Sequence, residues 1–275
     1  PRPQTNGVIV MKKRVLHVFR AMNVGGAETM ILNLYRSMDR EQIQFDFLVH
    51  TDEIGYYEKE ITNLGGRIFR LPEPKLLGIR SYQKDLYKLL KQNQFCAIHS
   101  HTHFFSGLIL EVAKKVPIPV RVAHSHTTSH GRKETILRQI YLAYMKSAIL
   151  KNATHRFGCS EAACDSLFGK AAATVVIPNS FDLEKYEQLS KEIGNRHTTT
   201  APIIGHIGRF DKVKNHLFFL ETFHHFKKEF PKATAILIGD GPERENIVDA
   251  IAKYKLTDSV NLLGIRSDIP EILGT

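Results

Sequence analysis

Cysteine is scarce in this chain. Cys96, Cys159 and Cys164 are an odd, scattered set, which argues against a disulfide framework and fits a reducing cytoplasm. No apolar run approaches the ~20 residues that a membrane-spanning helix needs, and no secretory signal is visible. Neither G-x-G-x-x-G nor G-x-x-x-x-G-K-[ST] occurs, so the dinucleotide fingerprint and the Walker-type phosphate loop are both missing. Low-complexity tracts and short-period repeats are absent too. Negative charge is the minor sign, with 28 Asp and Glu against 38 Lys and Arg. Residues 201–275 hold ten of each sign, so the excess lies in residues 1–200, with 28 basic and 18 acidic groups. A basic N-terminal part points to an anionic partner, either a phospholipid surface, a lipid-linked pyrophosphate or a nucleic acid, or else to a solvated basic face without one.

What remains is ordinary for a globular protein: 275 residues, 43% apolar and 24% charged, enough for two domains. The segment before Met11 reads as an upstream extension and is left out of the fold reasoning. Short strands rich in Val and Ile are expected at Arg14–Phe19, Gln44–His50, Arg67–Leu71, Ala97–Ser100, Val120–His124, His155–Cys159 and Thr174–Ile177. Helical patterns fill Gly26–Met38, Tyr56–Leu64, Ser81–Gln92, Phe104–Val116, Lys133–Leu150 and Glu161–Phe168. This alternation predicts an α/β fold with a parallel sheet covered on both faces. Polar residues 194–201 read as a linker between a domain at 11–193 and a second at 202–275. The pattern then restarts with strand Ile203–Ile207, helix Asn215–Glu229, strand Thr234–Ile238, helix Arg244–Lys255 and strand Val260–Leu263. Three strands are too few for a complete doubly wound sheet.

The most informative stretch is Gly205–Asn215. An apolar strand ends on Gly208, Arg209 and Lys214 follow, and a helix begins near Asn215. A glycine turn, two positive charges and a helix N-terminus together suit a diphosphate. Gly239 and Gly241 form a second glycine turn, and Gly25 and Gly26 a third after the first strand. His99, His101 and His103 alternate, as do His124 and His126, at the ends of two successive strands. Alternation places each set on one face, where the imidazoles could ligate a metal, contact a substrate or simply hydrogen-bond. No clear set of carboxylate partners supports the metal. Cys159 reads as a small buried residue, Ser160 as a helix N-cap with Glu161 in the first turn. Pro178-Asn179-Ser180-Phe181-Asp182 reads as a turn in which Asn179 and Asp182 cap the next helix.

In this order, Gly25-Gly26-Ala27-Glu28, His99-Ser100-His101, His124-Ser125-His126, Pro178-Asn179-Ser180, Gly208-Arg209, Lys214-Asn215 and Gly239-Asp240-Gly241-Pro242 resemble the GT-B fold retaining glycosyltransferases of the group 1 family, capsular and exopolysaccharide type. The resemblance spans the chain from Met11. It implies two Rossmann-like domains facing a cleft, and a nucleotide-diphosphate sugar donor bound chiefly by the second. The acceptor would be lipid-linked or a glycan. By this resemblance Arg209 and Lys214 hold the leaving diphosphate, while Gly25, Gly26, Gly208, Gly239 and Gly241 approach the donor. His126 matches the histidine that contacts the donor sugar, with His124 a close rival and His101 beside them. It also implies no metal, no cofactor and no nucleic-acid partner, and a cytoplasmic enzyme, peripheral on an anionic membrane. The family's paired glutamates fall beyond Thr275, so residues 1–275 alone are expected to be inactive. A non-catalytic nucleotide-sugar-binding or scaffold protein is the alternative, and a histidine-based metallohydrolase a remote third.

Overall fold

The strand Val15–Phe19 buries both of its faces, which calls for cover above and below. In the computed structural model, residues 12–72, 74, 78–128, 135–180, 183, 187, 201–266 and 268–273 are described. The segment before Met11, most of 183–200, residues 129–134, Phe181, Asp182 and Ser267, with the readings made for them, lie outside these. The chain divides into two units, Pro1–Phe181 and Asp182–Thr275.

The first unit is built from β1 (Lys13–Phe19), α1 (Gly26–Ser37), β2 (Ile43–Val49), α2 (Glu58–Asn63), β3 (Ile68–Arg70), α3 (Ile79–Gln92), β4 (Phe95–Ser100), α4 (Ser106–Lys115), β5 (Val120–Ser125), α5 (Ile136–Asn152), β6 (His155–Gly158), α6 (Glu161–Phe168) and β7 (Val175–Val176). All seven strands are parallel, in the order β3-β2-β1-β4-β5-β6-β7. The order reverses direction between β1 and β4, where doubly wound sheets open a crevice at their strand ends. Leu16 and Val18 pack on one face with Leu48, Ile98 and residues of α3 and α4. Phe19 joins Phe45, Phe47, Val49 and the α1 residues Met30, Ile31 and Tyr35 on the other. Each such side chain, fully buried, contributes about 1.5–3 kcal/mol. Helix α4 approaches α5 across Gly107, where a Cβ would stand 2.6 Å from the Met145 carbonyl oxygen. Ser160 caps α6, its Oγ accepting from the Ala163 N–H at 3.2 Å. The cysteine reading needs correction: Cys164 is the buried thiol, because α6 turns it into the core, whereas Cys159 is only partly buried at the strand end.

The second unit contains β8 (Ile203–Ile207), α7 (His216–Glu229), β9 (Thr234–Ile238), α8 (Arg244–Lys253), β10 (Val260–Gly264) and the short α9 (Ile269–Leu273). Its parallel sheet runs β10-β9-β8. Leu220 and Phe223 of α7 and Ile247 and Ile251 of α8 share one core with Ala235 and Leu237. The opposite face leaves Ile203, Ile207 and Leu263 exposed by 50%, 41% and 37%. The architecture is therefore α/β, with a seven-stranded sheet in the first unit and a three-stranded one among the described residues of the second.

One charge is buried at the N-terminal end of the first sheet. The Asp46 side chain is fully buried and accepts from Arg14 Nε at 2.6 Å, Arg67 Nη2 at 2.7 Å and the Arg67 backbone N–H at 2.9 Å. Burial opposes its ionisation, but the Arg14 and Arg67 hydrogen bonds override that and hold its pKa below the ordinary carboxylate value. A depressed carboxylate contributes stability above its unfolded pKa and loses it as pH falls below roughly 4 towards the folded value. Asp46→Asn should lower unfolding stability by about 3 kcal/mol at pH 7, with a smaller deficit at acid pH, read by urea denaturation. A variant as stable as the parent at pH 7 would show that this ion pair is inert.

Candidate functional site

Parallel pairing sets His17 of β1 beside His99 of β4, and β4 lies beside β5. Successive residues on one face of each strand then bring five imidazoles together: His17, His99, His101, His124 and His126. Nδ1 of His17 lies 3.2 Å from Nε2 of His101, and Nδ1 of His101 lies 2.8 Å from Nε2 of His126. Nε2 of His99 lies 3.2 Å from Nδ1 of His124, with the two rings stacked at 5.3 Å. Burial first, then mutual repulsion, lowers every one of these pKa values: to about 3 for His17, about 2 for His124 and about 4 for His126, and far below the ordinary value for His99 and His101. All five rings are neutral at pH 7. A neutral imidazole has one donor and one acceptor, so the His17–His101–His126 row must point its N–H groups in one direction. Nε2 of His17, Nε2 of His124 and Nδ1 of His126 are buried without a hydrogen-bond partner.

The sequence reading grouped the β4 and β5 histidines but missed His17. Its signal was a polar ring inside the apolar strand Val15–Phe19, facing Phe45 and Phe47. His103 departs from the expected alternation. It starts the 3-10 turn His103–Phe105 with φ 53°, so it has left the strand, although its ring still opposes protonation of His126. His124 is 1% exposed, whereas His126 and His101 are partly open to solvent at the strand ends.

Gly25 is the extended N-cap residue of α1, and a Cβ there would stand 2.3 Å from Glu28 Oε2. The Glu28 carboxylate is thus folded against the start of its own helix, and burial raises its pKa. Gly26 is exposed, and the nearest atom to a Cβ built on it is Asn179 Nδ2 at 3.6 Å. The fold therefore brings the glycine pair and the Pro178-Asn179 turn together, with Asn179 directed at Gly26.

In the second unit the three strand ends are tied in a row, Gly208 N–H to the Ile238 carbonyl at 2.9 Å and Gly239 N–H to the Gly264 carbonyl at 2.8 Å. Gly239 has φ 144°, and a Cβ on it would meet the Gly208 carbonyl oxygen at 2.0 Å. Gly241 is held as closely against the Phe210 carbonyl, and its N–H donates to Asp240 Oδ1 at 2.7 Å. Both glycines are required by chain packing around Gly208–Phe210. Asp211 caps the 3-10 turn Lys212–Lys214, accepting from the Lys214 N–H at 3.1 Å. Asn215 then takes the left-handed conformation, and α7 begins at His216 with neither a side-chain cap nor an acidic residue in its first turn. The Lys214 stem runs over Gly208, its Cγ and Cδ 3.4 Å from where a Cβ would sit. Arg209 and Lys214 are both exposed, and among the described residues no ion pair or side-chain hydrogen bond engages either.

Sequence reasoning also missed His206 and His216. They stack at 4.2 Å, both kept neutral by burial, with Lys214 adding repulsion. His216 is 2% exposed and lacks a hydrogen bond at either nitrogen. An open groove between α7 and α8, lined by Leu217, Phe218, Glu221, Asp249 and Lys253 among others, contains none of the glycines or the two cations. The strand ends suit a diphosphate better than that groove, because the groove sets two carboxylates, Glu221 and Asp249, beside its one cation, Lys253, whereas Arg209 and Lys214 carry two positive charges at the turn into α7.

Residues 24–185 match the family model described as Glycosyltransferase Family 4, and residues 189–275 match Glycosyl transferases group 1. EpsF of Bacillus subtilis (strain 168), named as a glycosyltransferase, is 37% identical over 274 residues, covering 96% of this chain and 71% of EpsF. CapH of Staphylococcus aureus, named as a capsular polysaccharide biosynthesis glycosyltransferase, is 27% identical over 79% of this chain and 59% of its own length. The crystal structure of Anabaena HepE in complex with UDP and glucose shares the fold, with a TM-score of 0.73 at 20% identity over 94% of this chain and 71% of that protein. By the first match and the identity to EpsF, the chain belongs to the family 4 glycosyltransferases, with a group 1 segment following.

Proposed function

We propose that this glycosyltransferase takes a sugar from a nucleotide-diphosphate donor and passes it, with retention of configuration, to a lipid-linked or glycan acceptor in surface-polysaccharide assembly. One observation carries the reading: Arg209 and Lys214, exposed and without an ion pair among the described residues, flank the turn that leads from β8 into the uncapped start of α7. Unpaired cations at an open helix N-terminus lower the energy of an arriving diphosphate, and more so as charge grows on the departing phosphate. In this reading they supply the positive charge that a metal ion would otherwise provide. HepE, of the same fold, holds UDP and glucose in its crystal structure, and CapH carries a capsular polysaccharide name, which supports the donor class and the pathway type.

His126 serves as the donor-sugar contact. Each of His126 and His124 has one nitrogen engaged by a neighbouring imidazole and one unpartnered, but His126 is partly open whereas His124 is buried. Gly26, exposed beside Asn179, is the part of the first glycine loop with room for a ligand. At Gly25 an incoming phosphate would have to displace the Glu28 carboxylate or accept a hydrogen bond from its protonated form.

Placement against an anionic membrane has support in α5. This helix carries Arg138, Lys146 and Lys151 and no acidic residue. Ile136, Leu137 and Ile140 on it are exposed by 76%, 81% and 62%. Apolar tips flanked by cations fit a bilayer surface of negative charge. No helix among the described residues is long and apolar enough to cross a membrane.

Arg209→Ala and Lys214→Ala should each weaken binding of nucleoside diphosphates by about 10–100-fold, since a hydrogen bond to a charged group is worth about 1.5–3 kcal/mol. Calorimetric titration reads this, and the unfolding midpoint should hold because both side chains are exposed. Transfer, followed as nucleoside diphosphate release in a protein of the length of relatives such as EpsF, where the scaffold alternative is also judged, should fall by about 10²–10³ in either variant. Parent-like nucleotide binding by both variants would remove the basis of the assignment, and tight binding without transfer to any acceptor would favour a scaffold. Separately, replacing Ile136, Leu137 and Ile140 by Ser should abolish sedimentation with vesicles rich in anionic lipid. If the parent protein does not sediment with such vesicles at low salt, the membrane reading is wrong.

A further inference from the structure

The five-histidine cluster carries more than a sugar contact. One ring nitrogen from each of His101, His124 and His126 falls within 4.8 Å of the other two. The outward nitrogens of two of these rings are already engaged: Nε2 of His101 by His17, and Nδ1 of His124 by His99. That leaves Nδ1 of His101 and Nε2 of His124, the latter buried with no partner. Nε2 of His126 completes the set, 2.8 Å from Nδ1 of His101. Tetrahedral zinc with Zn–N distances of 2.0–2.1 Å needs ligand nitrogens about 3.3 Å apart, which a small opening of that contact provides.

We propose that His101, His124 and His126 bind one divalent cation of the zinc class, with His17 and His99 as the outer partners that accept the remaining N–H groups of His101 and His124. Metal-bound histidines characteristically donate their second N–H to a neighbour, which fixes tautomer and ring orientation, and here two further imidazoles stand ready for that role. The other close trio, His17, His99 and His101, lies further back along β1 and β4 and supplies these outer positions instead. An all-imidazole donor set selects Zn²⁺, Co²⁺, Ni²⁺ or Cu²⁺ and disfavours Mg²⁺, Ca²⁺ and Mn²⁺, which prefer oxygen. Three protein ligands leave a fourth position for water or an anion, and the partial exposure of His101 and His126 gives the ion its way in. The inference goes beyond the transfer reading. A bound ion takes the His126 ring away from any sugar, so zinc-class metals would inhibit transfer.

The test uses untagged, chelator-stripped protein titrated with Co²⁺ in the absence of nucleotide, with visible d–d absorption and elemental analysis after dialysis as readouts. One equivalent of Co²⁺ with tetrahedral-type absorption, displaced by Zn²⁺ but not by Mg²⁺, is the expected result. His126→Gln, at a partly exposed position, should weaken binding at least about 100-fold with an unchanged far-ultraviolet circular dichroism spectrum. His17→Phe should keep the stoichiometry and weaken affinity by about 10–100-fold. Replacement of His224 and His225 by Ala should leave binding as it was. Absence of a stoichiometric site, or a site that survives His126→Gln and is lost with His224 and His225, overturns the proposal. Because no nucleotide or acceptor is present, failure here leaves the diphosphate reading standing.

Discussion

An imidazole packed against other imidazoles has to be uncharged, and this constraint shapes the centre of the first unit. Parallel strands lie about 4.8 Å apart and expose every second residue on one face. Histidines at such positions in β1, β4 and β5 are therefore forced into ring contact, and a proton on any one would face several neighbours. Burial removes the water that would otherwise stabilise the charge. A neutral ring can donate at one nitrogen and accept at the other, and His101 does both, which links His17 to His126 in a directed row of hydrogen bonds instead of a repulsion. The arrangement also sits beside the β1/β4 reversal of strand order, where the sheet has its natural crevice.

The two units treat positive charge in opposite ways. In the first, the groups at the strand ends are titratable and held neutral, and the permanent charges Arg14 and Arg67 are consumed by Asp46 at the other end of the sheet. In the second, the strand-end groups are an arginine and a lysine that no acid among the described residues neutralises. A single carboxylate near Arg209 would satisfy it locally and remove its attraction for a diphosphate. Asp211, the nearest candidate in sequence, is instead spent on the backbone N–H of Lys214.

The strands were legible because apolar Val and Ile runs of that length, separated by helical periodicity, have few alternatives. Helix starts were less so. Helix α4 begins at Ser106 after a 3-10 turn that the pattern cannot distinguish from helix, and α5 is entered through Thr135, whose hydroxyl accepts from the Arg138 N–H. The candidate cations were readable from order alone, since a strand-glycine-arginine sequence before a helix places them without tertiary knowledge. His17 was not, because its partners come from strands about eighty residues away, and only the register shows that it meets them. Glycine roles were the least legible. Gly239 and Gly241 are glycine because the Gly208–Phe210 backbone fills the space a side chain would need, which their spacing does not reveal.

The contrast between two helix starts shows why the second unit, more than the first, suits a diphosphate. Helix α1 follows the central strand β1 and α7 follows β8, at the edge of the described three-stranded sheet, and both present free N–H groups at their beginnings. Helix α1 brings its own anion, for Glu28 lies in the first turn with its carboxylate against Gly25, close enough that burial raises its pKa. A phosphate there meets a competitor already in place. Helix α7 has no acid in its first turn and no side-chain cap, and Asn215 in the left-handed conformation turns the chain so that Lys214 can lie along Gly208. The attraction of the helix dipole is left unspent, the Lys214 stem packs on Gly208, and among the described residues no ion pair or side-chain hydrogen bond engages its ammonium. The Lys214 stem lies over the bare backbone of Gly208, so the turn that ends β8 sets where that side chain runs.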